Sequence, residues 1–272
     1  MESRLKTFVA GKDARIGIAV IVNGKDTVSV NGNRDFPMMS VFKFPLSLAV
    51  AKWVDANGIS LDDVVSFGPN ALQENTYSPM LKKYGKGLIR MSIRELVEWA
   101  LVESDNNAAD ILLKRIGGVA CATTLMKDAG GSEEITIGAS EEDMHKDPYL
   151  SYLNRSTPLA MASLFDRFDS DVRKSSHTFS EIATMLEQCR TGADRLSAPL
   201  IPVNAVIGHK TGTGFITSGG RISAVNDCGY VHLPDGKRYS IAVFIADSAY
   251  DMDTTSKIIS DISGIVLECV LK

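Results

Sequence analysis

No stretch of this 272-residue chain reaches the ~20 apolar residues that span a bilayer, so no membrane partner is expected. Met1 to Gly11 also lacks the basic-then-apolar layout of a signal peptide, which leaves a cytoplasmic protein or a processed form. No run of lysine or arginine stands out, and both signs mix along a chain of net charge −4. A solvated surface follows, and nucleic acid is not an expected partner. None of the four cysteines, Cys121, Cys189, Cys228 and Cys269, forms a C-x-x-C pair, so neither structural zinc nor a disulfide is indicated. Cys228 sits in a strand pattern and Cys269 in a helix pattern, and both read as small buried apolar residues. His145 stands near Glu141, Glu142 and Asp143, but no second histidine lies at ligand spacing. Neither a metal nor a cofactor is therefore expected. There is no internal repeat and no low-complexity segment.

What is present is an ordinary globular composition, 44% apolar and 23% charged, long enough to bury a substantial core. The two ends read as β-rich. Ile16 to Val22 and Thr27 to Val30 flank Asn23-Gly24, a hairpin signal that Lys25 and Asp26 lengthen. Ile222 to Leu233 and Tyr239 to Ala246 flank Pro234-Asp235-Gly236, a second hairpin. A helix over Thr254 to Leu271 follows, with Ile258, Ile259, Ile262, Ile265, Val266 and Cys269 on its buried face. The middle reads as helical. One helix runs from Ser40 to about Ala56 with Asn57-Gly58 as its stop and a local kink at Pro45. Ser92 to Glu95 is a capping box, Asp105 or Asn106 caps the next helix, and Thr157-Pro158 opens another. The fold class is α+β. Residues 1-36 and 196-272 form a lobe with an antiparallel sheet flanked by terminal helices. Residues 37-195 form an inserted all-helical lobe, and the active cleft lies between the two.

Four short motifs follow one another along this frame. Ser40-Val41-Phe42-Lys43 places a lysine one helical turn beyond a serine, on the same face. Ser-x-x-Lys is a cheap pattern, since Ser3-Arg4-Leu5-Lys6 also matches it and reads as a solvated N-terminal face. A helix cap with a surface lysine would explain it. Against that, Lys43 stands among Phe42, Phe44, Pro45 and Leu46, and burial suits a lysine to proton transfer. Ser104-Asp105-Asn106 has cap and turn residues, yet leaves the Ser104 and Asn106 side chains free to face a cleft. Glu141 lies in a polar stretch that would also read as a solvated acidic loop. Lys210-Thr211-Gly212-Thr213 follows a strand-like segment, and its small residues let a substrate lie along the strand edge. Arg190-Thr191-Gly192, a near-match, reads as a helix end and turn. Together the motifs supply a nucleophilic hydroxyl, two amines, a second hydroxyl, a carboxylate and an amide. That inventory can acylate a serine and hydrolyse the acyl-enzyme.

In order and interval these motifs resemble those of the class A serine β-lactamases over nearly the whole chain, most of all the subgroup of PER, VEB and CfxA types. Tyr77-Ser78-Pro79-Met80, Ser104 to Ala108, Glu141 through His145 to Asn154, and His209 to Thr213 carry the resemblance. It implies a β-lactam substrate, with good activity on cephalosporins, a monomer, and a periplasmic or secreted location. By resemblance Ser40 is the nucleophile, Lys43 its amine partner, Ser104 a proton relay to the lactam nitrogen, and Glu141 the residue that activates the deacylating water. Asn106 binds the substrate's side-chain amide, and Tyr77 and His145 border the substrate. Lys210, Thr211, Gly212 and Thr213 line its carboxylate side. The N–H groups of Ser40 and Thr213 form the oxyanion hole. Lys43 and Glu141 remain alternative acylation bases.

Three positions depart from the family pattern. His145 stands where an asparagine usually helps to hold the water. Ala139 and Asn154 replace an arginine–aspartate pair that closes the loop, so the loop must be held differently. Asn226 replaces an arginine, for which Arg195 resembles the subgroup's substitute, with Arg221 as the alternative. A DD-peptidase shares the main motifs but lacks the carboxylate of Glu141. A non-catalytic cell-wall-binding module on the same fold would not need Ser40, Lys43, Ser104 and Lys210 together.

Overall fold

A computed structural model describes residues 1–272. The two ends of the chain meet in one five-stranded antiparallel sheet. Arg15–Val22 pairs with Asp26–Val30 on one side and Arg238–Ser248 on the other. Arg238–Ser248 then pairs with Ile222–His232, and that strand with Val206–Thr213, which is the sheet edge. Both expected hairpins form. Val22 pairs with Asp26, so Lys25 lengthens the first turn and Asp26 belongs to the strand. His232 pairs with Arg238 across the second, where Gly236 (φ 86°) takes the left-handed turn position.

The strands are nearly continuous apolar runs because both faces of the sheet are covered. Ile18, Val20, Ile241, Val243 and Ile245 pack against Leu5 of helix Glu2–Val9 and against Ile258, Ile259, Ile262 and Val266 of helix Met252–Leu271. Ser3, Arg4 and Lys6 are exposed as expected, but Leu5 between them is buried. The alternate residues Ala19, Ile21, Ala242 and Phe244 face the helical block. The last helix differs from expectation in its buried stripe. Ile265 and Cys269 are half-buried, while Ser263, Leu267 and Val270 are buried, since the 3.6-residue period shifts the stripe and Ser263 Oγ reaches the Leu196 carbonyl at 2.8 Å.

The block 37–195 is mainly helical rather than all-helical, since Val64–Phe67 pairs with Ile89–Ser92 and Phe36–Pro37 with Arg155–Ser156. It centres on Lys43–Asn57, in which ten residues including Phe44, Leu46 and Leu48 are buried. A helix hydrophobic all round belongs in a core. Phe44 stacks on Phe165 of helix Pro158–Ser170 at 4.0 Å between centroids, and that helix packs on the sheet. Pro45 occupies the first turn, where its missing N–H costs little. The segment before it is a 3-10 turn, Met39–Phe42, rather than α-helix. The capping box at Ser92 opens Ile93–Val102, Asp105 caps Asn106–Arg115, and Thr157 caps Pro158–Ser170, each as expected from sequence.

Candidate active site

Lys43 has no exposed surface, and four oxygens surround its ammonium. Nζ donates to Asn106 Oδ1 at 2.6 Å, to the Ser104 carbonyl at 2.8 Å and to Ser40 Oγ at 3.1 Å. The fourth, Glu141 Oε1, is 2.9 Å away. An ammonium has three protons and the hydrogen bonds take all three, so the contact with Glu141 is Coulombic. Glu141 Oε1 is buried and accepts no hydrogen bond from the protein.

Two backbone outliers hold this cluster. Met39 (φ 47°), just before Ser40, and Ser104 (φ 60°) are both left-handed. Such conformations cost non-glycine residues energy and gather at functional sites. Ser104 faces two lysines, its carbonyl accepting from Lys43 and its hydroxyl from Lys210 Nζ at 2.9 Å. Asp105 points away, accepting from Ala108 N, Met80 N and Ser78 Oγ. Burial pushes its carboxyl up despite these bonds. Asn106 Nδ2 donates to Thr76 Oγ1, so both ends of this amide have partners within the protein.

The edge strand forms the opposite wall. Lys210 is fully buried and donates also to the Thr211 carbonyl at 3.0 Å. Burial, with the charges of Lys43 and Arg195, brings its amine down to about 7 against the pull of Cys189 and Asp227. Gly212 has a packing reason. A Cβ there would stand 2.4 Å from the Met38 carbonyl oxygen and 3.3 Å from Ser40 N, so only glycine lets the strand approach the turn that carries Ser40. Gly214 N bonds Ala224 O within the ladder. By alternation the Thr213 N–H faces away from that strand, on the free edge.

Arg195 is buried beside this wall. Its guanidinium donates to the carbonyls of Gly212 (3.1 Å) and Asn226 (3.0 Å), to Thr213 Oγ1 (2.7 Å) and to Ser256 Oγ (3.3 Å). All four acceptors are neutral. Arg221 lies elsewhere, held by Asp13 and the Asp247 carbonyl. Asn226, in place of the family arginine, ties the strand to the segment before Ser40 by donating to the carbonyls of Pro37 and Met38.

The loop bearing Glu141 is closed by Asn154. Its Oδ1 accepts from Gly138 N (2.8 Å) and Ala139 N (3.0 Å), and its Nδ2 donates to the Ala139 carbonyl (3.0 Å). This amide does the work of the absent arginine–aspartate pair. Ser140 and Asp143 form a capping box that starts helix Glu141–Lys146. Glu141 is therefore buried at a helix start and not in a solvated acidic loop.

Asp110 is the main residue that the sequence reading missed. Its carboxylate accepts from Glu141 N (2.7 Å) and Glu142 N (2.8 Å), and burial lifts it to about 6. The available signal was an acidic side chain four residues after Asn106, on the same helix face, in an apolar run. Thr191 and Gly192, read as a turn, also line the cleft, and Thr191 Oγ1 is 2.5 Å from Thr211 Oγ1.

These residues surround one cleft of about 730 Å³, bordered by Ser40, Tyr77, Ser104, Asn106, Glu141, His145, Arg195, Thr211 and Thr213. Lys43 and Lys210 lie behind that lining, joined to it through Ser40 and Ser104. A family model described as the beta-lactamase enzyme family matches residues 1–270. The chain belongs to this family. It is 37% identical to the beta-lactamase VEB-1 of Pseudomonas aeruginosa over 96% of this chain and 87% of the relative. It is 35% identical to a beta-lactamase of Phocaeicola vulgatus over 98% and 84%. The structure superposes on the TLA-3 extended-spectrum beta-lactamase with a TM-score of 0.95, at 33% identity, covering 100% of this chain and 98% of that one. A class A beta-lactamase from Bacteroides cellulosilyticus gives 0.92, also at 33% identity, over 98% and 95%. The protein is a class A β-lactam hydrolase with the α+β serine β-lactamase fold, in place of the DD-peptidase and non-catalytic alternatives.

Proposed function

We propose that the enzyme opens the β-lactam ring through an acyl-enzyme on Ser40, with penicillins and especially cephalosporins as substrates. The observation that carries this reading is the chain Glu141–Lys43–Ser40, beside Ser104–Lys210, all within 3.1 Å contacts around one cleft. Ser40 Oγ attacks the lactam carbonyl. Its proton leaves to Lys43 Nζ once that ammonium has given up a proton to Glu141 or to solvent, or through water to Glu141. The developing oxyanion meets the N–H groups of Ser40 and Thr213. Ser104, between the two lysines, returns a proton to the lactam nitrogen. Glu141 Oε1 is free to accept from the water that then cleaves the ester. The carboxylate beside the lactam lies against Lys210, Thr211, Thr213 and Arg195. Tyr77, Asn106 and His145 border the remainder of the substrate.

The cephalosporin preference draws on the extended-spectrum names of two similar proteins, PER-1 and TLA-3. The same reading takes the enzyme as a monomer, exported from the cytoplasm, without nucleic-acid or membrane partners, and divided into lobes 1–36 with 196–272 and 37–195. No helix is long and apolar enough to cross a membrane. The test is turnover of a chromogenic cephalosporin, with mass spectrometry of the mixed protein. Ser40→Ala should fall below ~1% of the wild-type rate and carry no adduct, since covalent catalysis is lost. Faster turnover would remove Ser40 from the role of nucleophile.

A further inference from the structure

The donors that the strand wall can offer a carboxylate are few. A guanidinium has five N–H bonds. In Arg195, Nε donates to Ser256 Oγ, Nη1 to the carbonyls of Gly212 and Asn226, and one N–H of Nη2 to Thr213 Oγ1. One N–H is left, too few for the two parallel bonds that a free guanidinium gives a carboxylate. Lys210 lies fully buried behind the lining, with two of its three protons on Ser104 Oγ and the Thr211 carbonyl. The hydroxyls of Thr213 and Thr211 therefore matter. Thr213 is already aimed, because Arg195 can only donate to it and its own proton remains for the cleft.

Thr211 has no cation on its hydroxyl. The one hydrogen-bond partner of Thr211 Oγ1 is Thr191 Oγ1, at 2.5 Å. A single proton lies between the two oxygens, and the hydroxyl that supplies it decides what the cleft meets. When Thr211 donates, it turns lone pairs to the cleft and repels a carboxylate. When Thr191 donates, the Thr211 proton is released for the carboxylate, which can only accept. The Cys189 thiol, 3.4 Å from Thr191 Oγ1, is a weak partner in either direction and leaves this choice open.

The segment that carries Thr191 is shaped for the contact. Gly192 is left-handed (φ 69°), and a Cβ there would stand 2.6 Å from Thr211 Cγ2 and 3.2 Å from Arg195 Cδ. On either side the backbone is pinned. Arg190 N donates to the Val102 carbonyl at 3.0 Å, and Arg195 N closes the turn on the Gly192 carbonyl at 2.9 Å. Thr191 and Thr211 both line the cleft.

We propose that Thr191 is a positioning residue for the substrate carboxylate: its hydroxyl donates to Thr211 Oγ1, so that the Thr211 proton points into the cleft beside that of Thr213. This rests on the carboxylate site proposed above. Hydroxyls linked in this way also polarise one another, which strengthens the bond at the cleft end.

The test is kcat and KM for a cephalosporin and for its methyl ester at the carboxylate beside the ring, in wild type, Thr191→Val, Thr191→Ala and Thr191→Ser. Wild type should prefer the free acid. Thr191→Val should narrow that preference by about three- to tenfold, the weight of one neutral hydrogen bond. The change should fall on KM for the acid, with kcat within about twofold of wild type. A methyl group cannot sit as close to Thr211 as the hydroxyl does, so Thr191→Ala, which removes the hydroxyl without crowding, should narrow the preference in the same way. Thr191→Ser should restore it. An undiminished preference in Thr191→Ala, equal losses on acid and ester, or a Thr191→Ser as impaired as Thr191→Val would overturn the proposal. If wild type shows no preference for the acid, the carboxylate site itself fails. If wild type shows it and the variants keep it, only the role of Thr191 does.

Discussion

On the helical wall of the cleft, Lys43 has Glu141 at 2.9 Å and three hydrogen-bond acceptors. On the strand wall, Lys210 and Arg195 are also buried and have only hydroxyl and carbonyl partners. A buried cation without a counterion is costly. The first wall is balanced by the protein itself and suits the movement of protons among Ser40, Lys43 and Glu141. The second remains electropositive, and in the proposed mechanism the substrate carboxylate completes it. The proposed mechanism thus divides bond making and carboxylate holding between elements far apart in sequence, and substitutions on the two walls should fail in different ways.

The largest difference should come from Glu141→Gln. An amide cannot take a proton from water, so deacylation should stop while acylation survives through Lys43. The expected result is a loss of about a thousandfold in steady-state turnover, within the roughly 10²–10⁴ that a positioned general base contributes, with a persistent Ser40 adduct by mass spectrometry. Glu142, held between Lys114 and Lys146, should give no such adduct as Glu142→Gln. The opposite pattern would move the deacylating role to Glu142.

Arg195→Ala should damage the other wall. The loss of a charged hydrogen bond to a carboxylate is about 1.5–3 kcal/mol, or roughly ten- to a hundredfold in kcat/KM. The adduct formed at saturating substrate should still clear. Arg221→Ala should be nearly normal, because that guanidinium serves Asp13 and Asp247. Equal, near-wild-type kinetics in both would leave the carboxylate to Lys210 and the threonines alone.

The helical wall was the more legible in sequence. Ser40, Lys43, Ser104 and Asn106 lie at short spacings, where helix and turn geometry predict which side chains meet. The two hairpins were legible for the same local reason, and the single sheet that joins them followed from strand patterns at both ends of the chain. What local pattern could not supply was long-range. Asp110 reaches the Glu141 and Glu142 amides across 31 and 32 residues, and Asn226 reaches Met38 across 188. Thr191 read as an ordinary turn because its partner, Thr211, is 20 residues further on. The need for glycine at 212 likewise comes from the Ser40 turn packed against it, which the strand's own sequence does not reveal.

The smallest effect should come from Asn154→Ala, which tests whether the helical wall depends on a distant clasp. Asn154 is fully buried and makes three hydrogen bonds to the backbone of Gly138 and Ala139, two residues before Glu141. Truncation leaves the two N–H groups and one carbonyl without those partners, at about 1–3 kcal/mol for each group that stays buried. The loop can move to meet water, so the net loss should lie near the low end. For a chain of this length that lowers Tm by a few degrees. Glu141 is held independently by Asp110 and by the Ser140 capping box, so its carboxylate should shift without being lost. Deacylation should slow by only about threefold, equivalent to under 1 kcal/mol, while acylation is unchanged. A Tm loss with both rates intact would limit Asn154 to stability. A drop as large as that of Glu141→Gln would make the clasp, rather than Asp110, the element that places the carboxylate.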